Sequence, residues 1–194
     1  IAGASSGVWT YAAVENTSPL AREFDLSVLW DGFCGLVGDA LRAAGVLPSQ
    51  VAAVSATSQR QAVVFLDGAG REIYAGPNLD LRAVFEGAAI DEEHGDSVYA
   101  TTGHTPSFLF TPAKLRWFQV HRPGAYDRIA TVLTLADWIV WRLTGEVACE
   151  PSLAAEAGLL DIHRRLCCAD LLHKIGTPLR ADTPMVEAGS TVGG

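Results

Sequence analysis

Two short groups of polar residues stand beside predicted strands and have the side chains needed to bind a ligand rich in hydroxyl groups. They are Gln59, Arg60 and Gln61, after the β-rich run 51–57, and Asp80 and Arg82, after the predicted strand 71–75. A strand that returns antiparallel brings such groups to one edge of a sheet. Guanidinium, amide and carboxylate groups together supply the donors and acceptors that a sugar or polyol requires. The same residues also allow a purely structural explanation, an Arg60–Asp80 ion pair that closes the sheet edge.

Other side chains with chemical potential are more isolated in the sequence. His104, in a Gly-His-Thr-Pro loop, is the one histidine of five in a site-like context, either as a ligand contact or as a solvated loop residue. Lys114 is either a ligand or a partly exposed helix lysine. Common signatures, such as Gly-x-Gly-x-x-Gly, His-Glu-x-x-His and Gly-x-Ser-x-Gly, do not occur in the sequence.

Composition limits the classes of function. The chain has 194 residues, a net charge of −8 and 49% hydrophobic residues, which predicts one folded domain with a full core. Its acidity argues against nucleic acid or an anionic membrane as a partner. No apolar run reaches the roughly 18–20 residues of a membrane helix. Because the chain does not start with Met, we expect it to begin part-way through a longer protein.

The cysteines indicate a reducing compartment. They stand at positions 34, 149, 167 and 168, and adjacent Cys167 and Cys168 do not fit Cys-x-x-Cys zinc spacing. We therefore expect four reduced thiols, no metal site and a cytoplasmic protein.

The hydrophobic pattern predicts helices and strands that together form an α/β domain with a mixed sheet. A helix begins after Asp25, its expected N-cap, and ends at Gly45. The predicted strands are 51–57, 63–66, 71–75, 129–133 and 159–162. The other predicted helices are 81–88, one from Thr111 to 120, 137–143 and 169–175, with an acidic loop at 91–96.

Taken in order, eight segments of the chain resemble the N-terminal domain of the FGGY family of carbohydrate kinases. They are Glu23-Phe-Asp25 with Trp30, the turn ending Ser-Ala-Thr-Ser-Gln-Arg-Gln61, Leu66-Asp67 with Gly70, Asn78-Leu-Asp-Leu-Arg82, Thr102-Gly-His104, Phe110-Thr-Pro-Ala-Lys-Leu-Arg-Trp117, Asp137 to Gly145, and Leu159 to Ile162. The turn and the Pro-Asn-x-Asp-x-Arg form are most similar to the family's autoinducer-2 kinase branch. Xylulokinases and glycerol kinases are further branches with different residues in the turn.

The resemblance implies a ribonuclease H-like, actin-like ATPase fold, in which a mixed sheet is flanked by helices and is incomplete at both ends. Residues 1–194 would be a partial substrate-binding domain, and the ATP-binding domain would lie outside this chain. The implied activity is phosphoryl transfer from ATP, with Mg²⁺, to a hydroxyl of a sugar or polyol. The implied substrate-binding residues are Gln59, Arg60, Gln61, Asp80, Arg82 and His104. The general-base Asp is expected beyond residue 194, so we expect the chain alone to be inactive and to bind neither ATP nor Mg²⁺.

One departure from the family pattern leaves alternatives open. Residues 149–155, Cys-Glu-Pro-Ser-Leu-Ala-Ala, replace the usual Thr-Asp-x-Ser-x-Ala-Ser. The alternatives to a kinase are a non-catalytic sugar-binding or regulatory protein, and a truncated product without activity. For the kinase and for the sugar-binding alternative, the expected partner is a small sugar or polyol, not nucleic acid or membrane, and a homodimer is compatible with the sequence.

Overall fold

The computed structural model describes residues 1–14, 17–179 and 183–193. Its strands are β1 (Ala12–Ala13), β2 (Arg22–Glu23), β3 (Val63–Asp67), β4 (Glu72–Gly76), β5 (Ile129–Thr134), β6 (Leu160–Asp161) and β7 (Leu166–Cys167). Its helices are α1 (Leu26–Ala44), α2 (Val84–Thr102), α3 (Thr111–His121), α4 (Pro123–Tyr126), α5 (Leu135–Thr144), α6 (Pro151–Glu156) and α7 (Ala169–Lys174). The chain is thus an α/β protein, as the sequence predicts.

A three-stranded sheet, in the order β4-β3-β5, forms the centre of the molecule. All five residues of β3 are buried, because helices cover both of its faces. Successive side chains of a strand point to opposite faces. Val63 and Phe65 therefore join one apolar cluster, which includes Phe118 of α3. Val64 and Leu66 join another, which includes Trp138 of α5. Both pairings in this sheet are antiparallel. Outside this sheet, Cys149 and Met185 form an isolated bridge in which the two chain segments run parallel.

Helix α1 begins and ends where its sequence predicts. The Asp25 carboxylate accepts hydrogen bonds from the backbone N–H groups of Ser27 and Val28, at 3.0 and 3.1 Å. Gly45 ends the helix at a φ of +67°, a conformation that glycine adopts without strain. Trp30 is partly buried and packs edge-on against the buried Trp138, with ring centroids 5.8 Å apart.

Two predictions of local structure are wrong. Residues 51–57 are irregular and mostly exposed, because no strand among the described residues pairs with them. An extended segment without a neighbour leaves its backbone groups to water and is not a strand. Residues 91–96 belong to α2 and are not an acidic loop. The helix continues because Ile90 and Val98 are buried on one of its sides.

The helix predicted at 81–88 is much longer in the structure, where α2 runs from Val84 to Thr102. The remaining predicted elements lie close to their expected positions, and α3, β5 and α5 match within one or two residues. None of the four cysteines is joined in a disulfide. Among the described residues, no helix is long and apolar enough to cross a membrane.

Candidate functional site

The turn at residues 58–61 is anchored to two neighbouring elements. The Ser58 hydroxyl accepts a hydrogen bond of 3.1 Å from the backbone N–H of Ala136, at the start of α5. The Gln59 side-chain oxygen accepts one of 3.3 Å from the backbone N–H of Asn78. Gln59 also approaches the Tyr11 hydroxyl at 3.5 Å. These contacts fix the turn next to the 77–82 segment, so the two predicted groups are neighbours.

Arg60 and Gln61 complete this turn, and their side chains are not committed to it. The Arg60 side chain is 73% exposed, and its Nη1 lies 3.9 Å from Oε1 of Glu156. The predicted Arg60–Asp80 ion pair is not formed. Gln61 has a φ of +64°, which is unusual for a residue other than glycine. In the described part of the chain its side chain forms no hydrogen bond. Both side chains therefore keep hydrogen-bonding groups for a ligand.

Asp80 and Arg82 form a buried ion pair beneath the turn. Both side chains have no exposed surface, and Nε of Arg82 donates to Oδ2 of Asp80 at 2.8 Å. Asp80 also accepts from the backbone N–H of Arg22 at 2.9 Å and from the Tyr74 hydroxyl. Nη2 of Arg82 donates to Glu23 at 2.8 Å. The pair links β2, β4 and the 77–82 segment, and its side chains do not reach the surface.

Aromatic rings enclose the Arg82 guanidinium. Its central carbon lies 4.6 Å from the ring centroid of Tyr74 and 5.0 Å from that of Trp117. Nη1 is buried without a hydrogen-bond partner among the described residues. The ring faces carry the negative pole of the aromatic quadrupole and stabilise this charge. Burial, together with the negative charge of Asp80, holds the pKa of Tyr74 well above its usual range.

Lys114 of α3 is a buried cation, so it is not the partly exposed helix lysine that was one of its two sequence interpretations. Its side chain has no exposed area, and Nζ donates to the backbone carbonyl of Leu109 at 3.4 Å. Burial lowers the pKa of Lys114 to about 8, although Asp80 opposes this shift. The spacing of Lys114 in the sequence could have indicated its burial. Lys114 follows Thr111 by three residues and precedes Phe118 by four, and all three are buried in α3.

His104 lies away from the other predicted site residues. Helix α2 has 19 residues, with Arg82 just before its start and His104 just after its end. A helix of that length spans roughly 28 Å at 1.5 Å per residue. The His104 ring packs against Phe110, with centroids 5.1 Å apart. The structure therefore groups Gln59, Arg60, Gln61, Asp80 and Arg82 and leaves His104 outside the group.

The carboxylate of Asp137 connects the turn to α6. Its Oδ2 accepts hydrogen bonds from the Thr134 hydroxyl at 2.6 Å and the Cys149 thiol at 2.9 Å. Its Oδ1 accepts from the backbone N–H of Glu150 at 3.1 Å. Burial raises the pKa of Asp137. Asp137 lies in α5, and Ser58 of the turn is bonded to Ala136 of the same helix. Helix α5 therefore holds both the turn and α6 in place. Glu156, at the end of α6, consequently faces Arg60.

Within residues 1–14, 17–179 and 183–193, no three His, Cys, Asp or Glu side chains come together as a metal site.

A family model for the N-terminal domain of the FGGY family of carbohydrate kinases matches residues 10–194. The chain belongs to this family. It is 37% identical, over 191 residues, to the autoinducer-2 kinases of Salmonella choleraesuis strain SC-B67 and Escherichia coli strain K12. The match covers 95% of this chain and 35% of each relative. The chain thus spans about a third of the length of these curated relatives.

Solved structures of FGGY kinases share the fold. A xyloylose kinase from Brucella ovis superposes with a TM-score of 0.80 at 26% identity, covering 95% of this chain and 37% of that one. A gluconate kinase from Lactobacillus acidophilus superposes with a TM-score of 0.81 at 17% identity, covering 95% and 37%. The second likeness shows the fold alone. The FGGY resemblance and the expected α/β, actin-like ATPase fold are confirmed.

Proposed function

We propose that this FGGY chain supplies the substrate-binding part of an enzyme that phosphorylates a sugar, polyol or similar hydroxyl compound with ATP. One observation carries the proposal. The 58–61 turn is fixed through Ser58 and Gln59, while Arg60 and Gln61 keep their donors unengaged beside it. A ligand rich in hydroxyl groups requires such prepositioned donors and acceptors.

Within this site we assign different tasks to the candidate residues. Arg60 and Gln61 would bind substrate hydroxyls. Gln59 would hold the turn against the 77–82 segment. Asp80 and Arg82, whose side chains are buried in their own ion pair, would act as positioning residues under that segment. His104 has no part in this proposal, because α2 separates it from the other residues.

The substrate class follows from the relatives. Autoinducer-2 kinases share 37% identity with the chain, and a xyloylose kinase shares its fold at 26% identity. We therefore propose autoinducer-2 or a short ketose as the substrate. ATP and Mg²⁺ would be bound, and the general base supplied, by residues other than those described here. The proposed location is the cytoplasm, and a homodimer is the proposed assembly.

The test is calorimetric titration of the chain with autoinducer-2, D-xylulose and glycerol. We expect saturable binding of at least one compound. Arg60→Ala should weaken it about 10- to 100-fold, the range of a hydrogen bond to a charged group. Arg42→Ala, which removes another exposed arginine on α1 that pairs with Asp39, is the matched control. A flat titration with all three compounds, or unchanged affinity in Arg60→Ala, would contradict the proposal.

A kinase assay separates catalysis from binding alone. ADP formation that depends on the bound compound, by a protein that also contains the rest of a relative's length, would support the kinase. Binding without ADP formation in that longer protein would favour the non-catalytic sugar-binding alternative.

A further inference from the structure

Glu156, at the end of α6, faces the substrate-binding turn in a geometry suited to a ligand. Its Oε1 lies 3.9 Å from Nη1 of Arg60, a separation too long for a hydrogen bond. Among the described residues, neither side chain forms a hydrogen bond to any other group. The Glu156 side chain is 32% exposed and that of Arg60 is 73% exposed, so solvent reaches both. Two opposite charges thus face each other with their hydrogen-bonding capacity unused.

The rest of α6 is held firmly. Glu150 caps this helix by accepting a 3.0 Å hydrogen bond from the backbone N–H of Leu153. The backbone N–H of Glu150 is bound by Asp137, and Ala154 is fully buried. Glu150 is therefore occupied in the structure, whereas Glu156 at the other end of the helix is the carboxylate turned toward Arg60.

We propose that Glu156 is a specificity-determining residue of the sugar site, and that it selects neutral polyhydroxy compounds over sugar acids. This inference rests on the proposed function. A hydroxyl group both donates and accepts, so one substrate hydroxyl can donate to the Glu156 carboxylate and accept from the Arg60 guanidinium. Hydrogen bonds to charged groups are the stronger ones. A carboxylate on the ligand has no proton to donate and is repelled by Glu156.

Without Glu156, Arg60 would favour sugar acids over neutral compounds. Guanidinium groups bind carboxylates well, so an isolated arginine in this turn would attract compounds such as gluconate. The carboxylate of Glu156 cancels that preference while it preserves the hydroxyl contact of Arg60. The pair therefore separates two ligand classes of nearly the same size and shape, which the contacts of Arg60 alone do not.

The test compares Glu156→Gln with the unmodified chain, using D-xylulose as the neutral probe and D-gluconate as the anionic probe. Glutamine keeps the length of the side chain and removes its charge. We expect about tenfold weaker binding of D-xylulose, as for loss of a charge-assisted hydrogen bond, and tighter binding of D-gluconate. The ratio of the two affinities is the decisive readout, because a general loss of structure lowers both. Glu93→Gln, which breaks the 3.3 Å pair with Arg116, is the matched control and should leave the ratio unchanged.

The outcomes separate this inference from the proposed function. If the unmodified chain binds D-xylulose and Glu156→Gln leaves the ratio unchanged, the inference is wrong while the sugar site stands. If the unmodified chain binds neither D-xylulose nor any other neutral compound of the panel, the proposed function is wrong and the inference falls with it. If Glu156→Gln and Glu93→Gln change the ratio equally, net charge and not the position of Glu156 is responsible, which also overturns the inference.

Discussion

The Asp80–Arg82 pair and the Arg60–Gln61 turn each contain an arginine, but the two arginines have opposite surroundings. Asp80 and Arg82 are buried, and three elements meet at their hydrogen bonds. Arg60 is largely exposed, and its nearest partner is 3.9 Å away. A buried charge must be paired, because its desolvation is not otherwise compensated. An exposed charged side chain on a fixed backbone can still form hydrogen bonds to a ligand. We therefore expect the first region to contribute to stability, and we propose the second for recognition.

The largest expected effect comes from breaking the buried pair. Arg82→Met keeps the volume of the side chain but leaves the Asp80 and Glu23 carboxylates without their cation. We expect a loss of about 3–5 kcal/mol in the free energy of unfolding, measured by urea denaturation. Arg60→Met, the matched variant in the exposed region, should change it by less than about 1 kcal/mol, since exposed ion pairs contribute little. Equal losses in the two variants would remove the distinction between the regions.

Helices and strands that are marked by local sequence patterns were predictable from the sequence. Asp25 and Gly45 bound α1 as predicted, and the apolar runs of β3 and β5 are strands. Sequence reasoning failed at residues 51–57, because a strand depends on a partner that no local pattern reveals. It also failed at 91–96, where the charged residues lie on the outer side of a helix whose inner side is apolar.

The proximity of the two polar groups was predictable from the sequence, but the burial of their side chains was not. The turn and the 77–82 segment were expected to be neighbours, and Gln59 joins them. Burial of Asp80 and Arg82 was not foreseen, because both side chains are polar and their aromatic surroundings come from distant segments. The approach of Glu156 to Arg60 was not predicted, because it arises from their common support at α5, across almost a hundred residues of sequence.

Lys114 provides a second test of the buried region, with an effect of opposite sign. Its pKa is about 8 in the folded chain against an ordinary value of 10.5. Between these values the unfolded chain binds more protons, so the Lys114 contribution makes the free energy of unfolding rise with pH. Below about pH 8 the buried ammonium destabilises the fold. Lys114→Met should therefore stabilise the chain at pH 7 by about 1–3 kcal/mol, and this gain should shrink toward pH 10.

The measurement is the difference in urea denaturation between Lys114→Met and the unmodified chain at pH 7 and pH 10. Tyr74, whose raised pKa lowers stability at alkaline pH, is present in both and cancels in the difference. Lys174→Met, which removes an exposed lysine bonded to Ser97, is the control for loss of a lysine outside the buried region. A gain that is equal at both pH values would mean that folding does not lower the pKa of Lys114.

The smallest expected change in stability is for Gln61→Gly in the turn, a substitution that should stabilise the fold slightly but weaken sugar binding. Gln61 has a φ of +64°, and a residue with a β-carbon is strained there. Gln61→Gly relieves that strain but gives the unfolded chain more freedom, so we expect a net gain of at most about 1 kcal/mol in the free energy of unfolding. Binding of the sugar should weaken, because the amide is lost. Gln61→Ala separates the two effects, since it loses the amide without relieving the strain. If Gln61→Gly raises stability and leaves sugar affinity unchanged, the strained turn has no role in recognition, and Arg60 alone would distinguish the exposed region from the buried one.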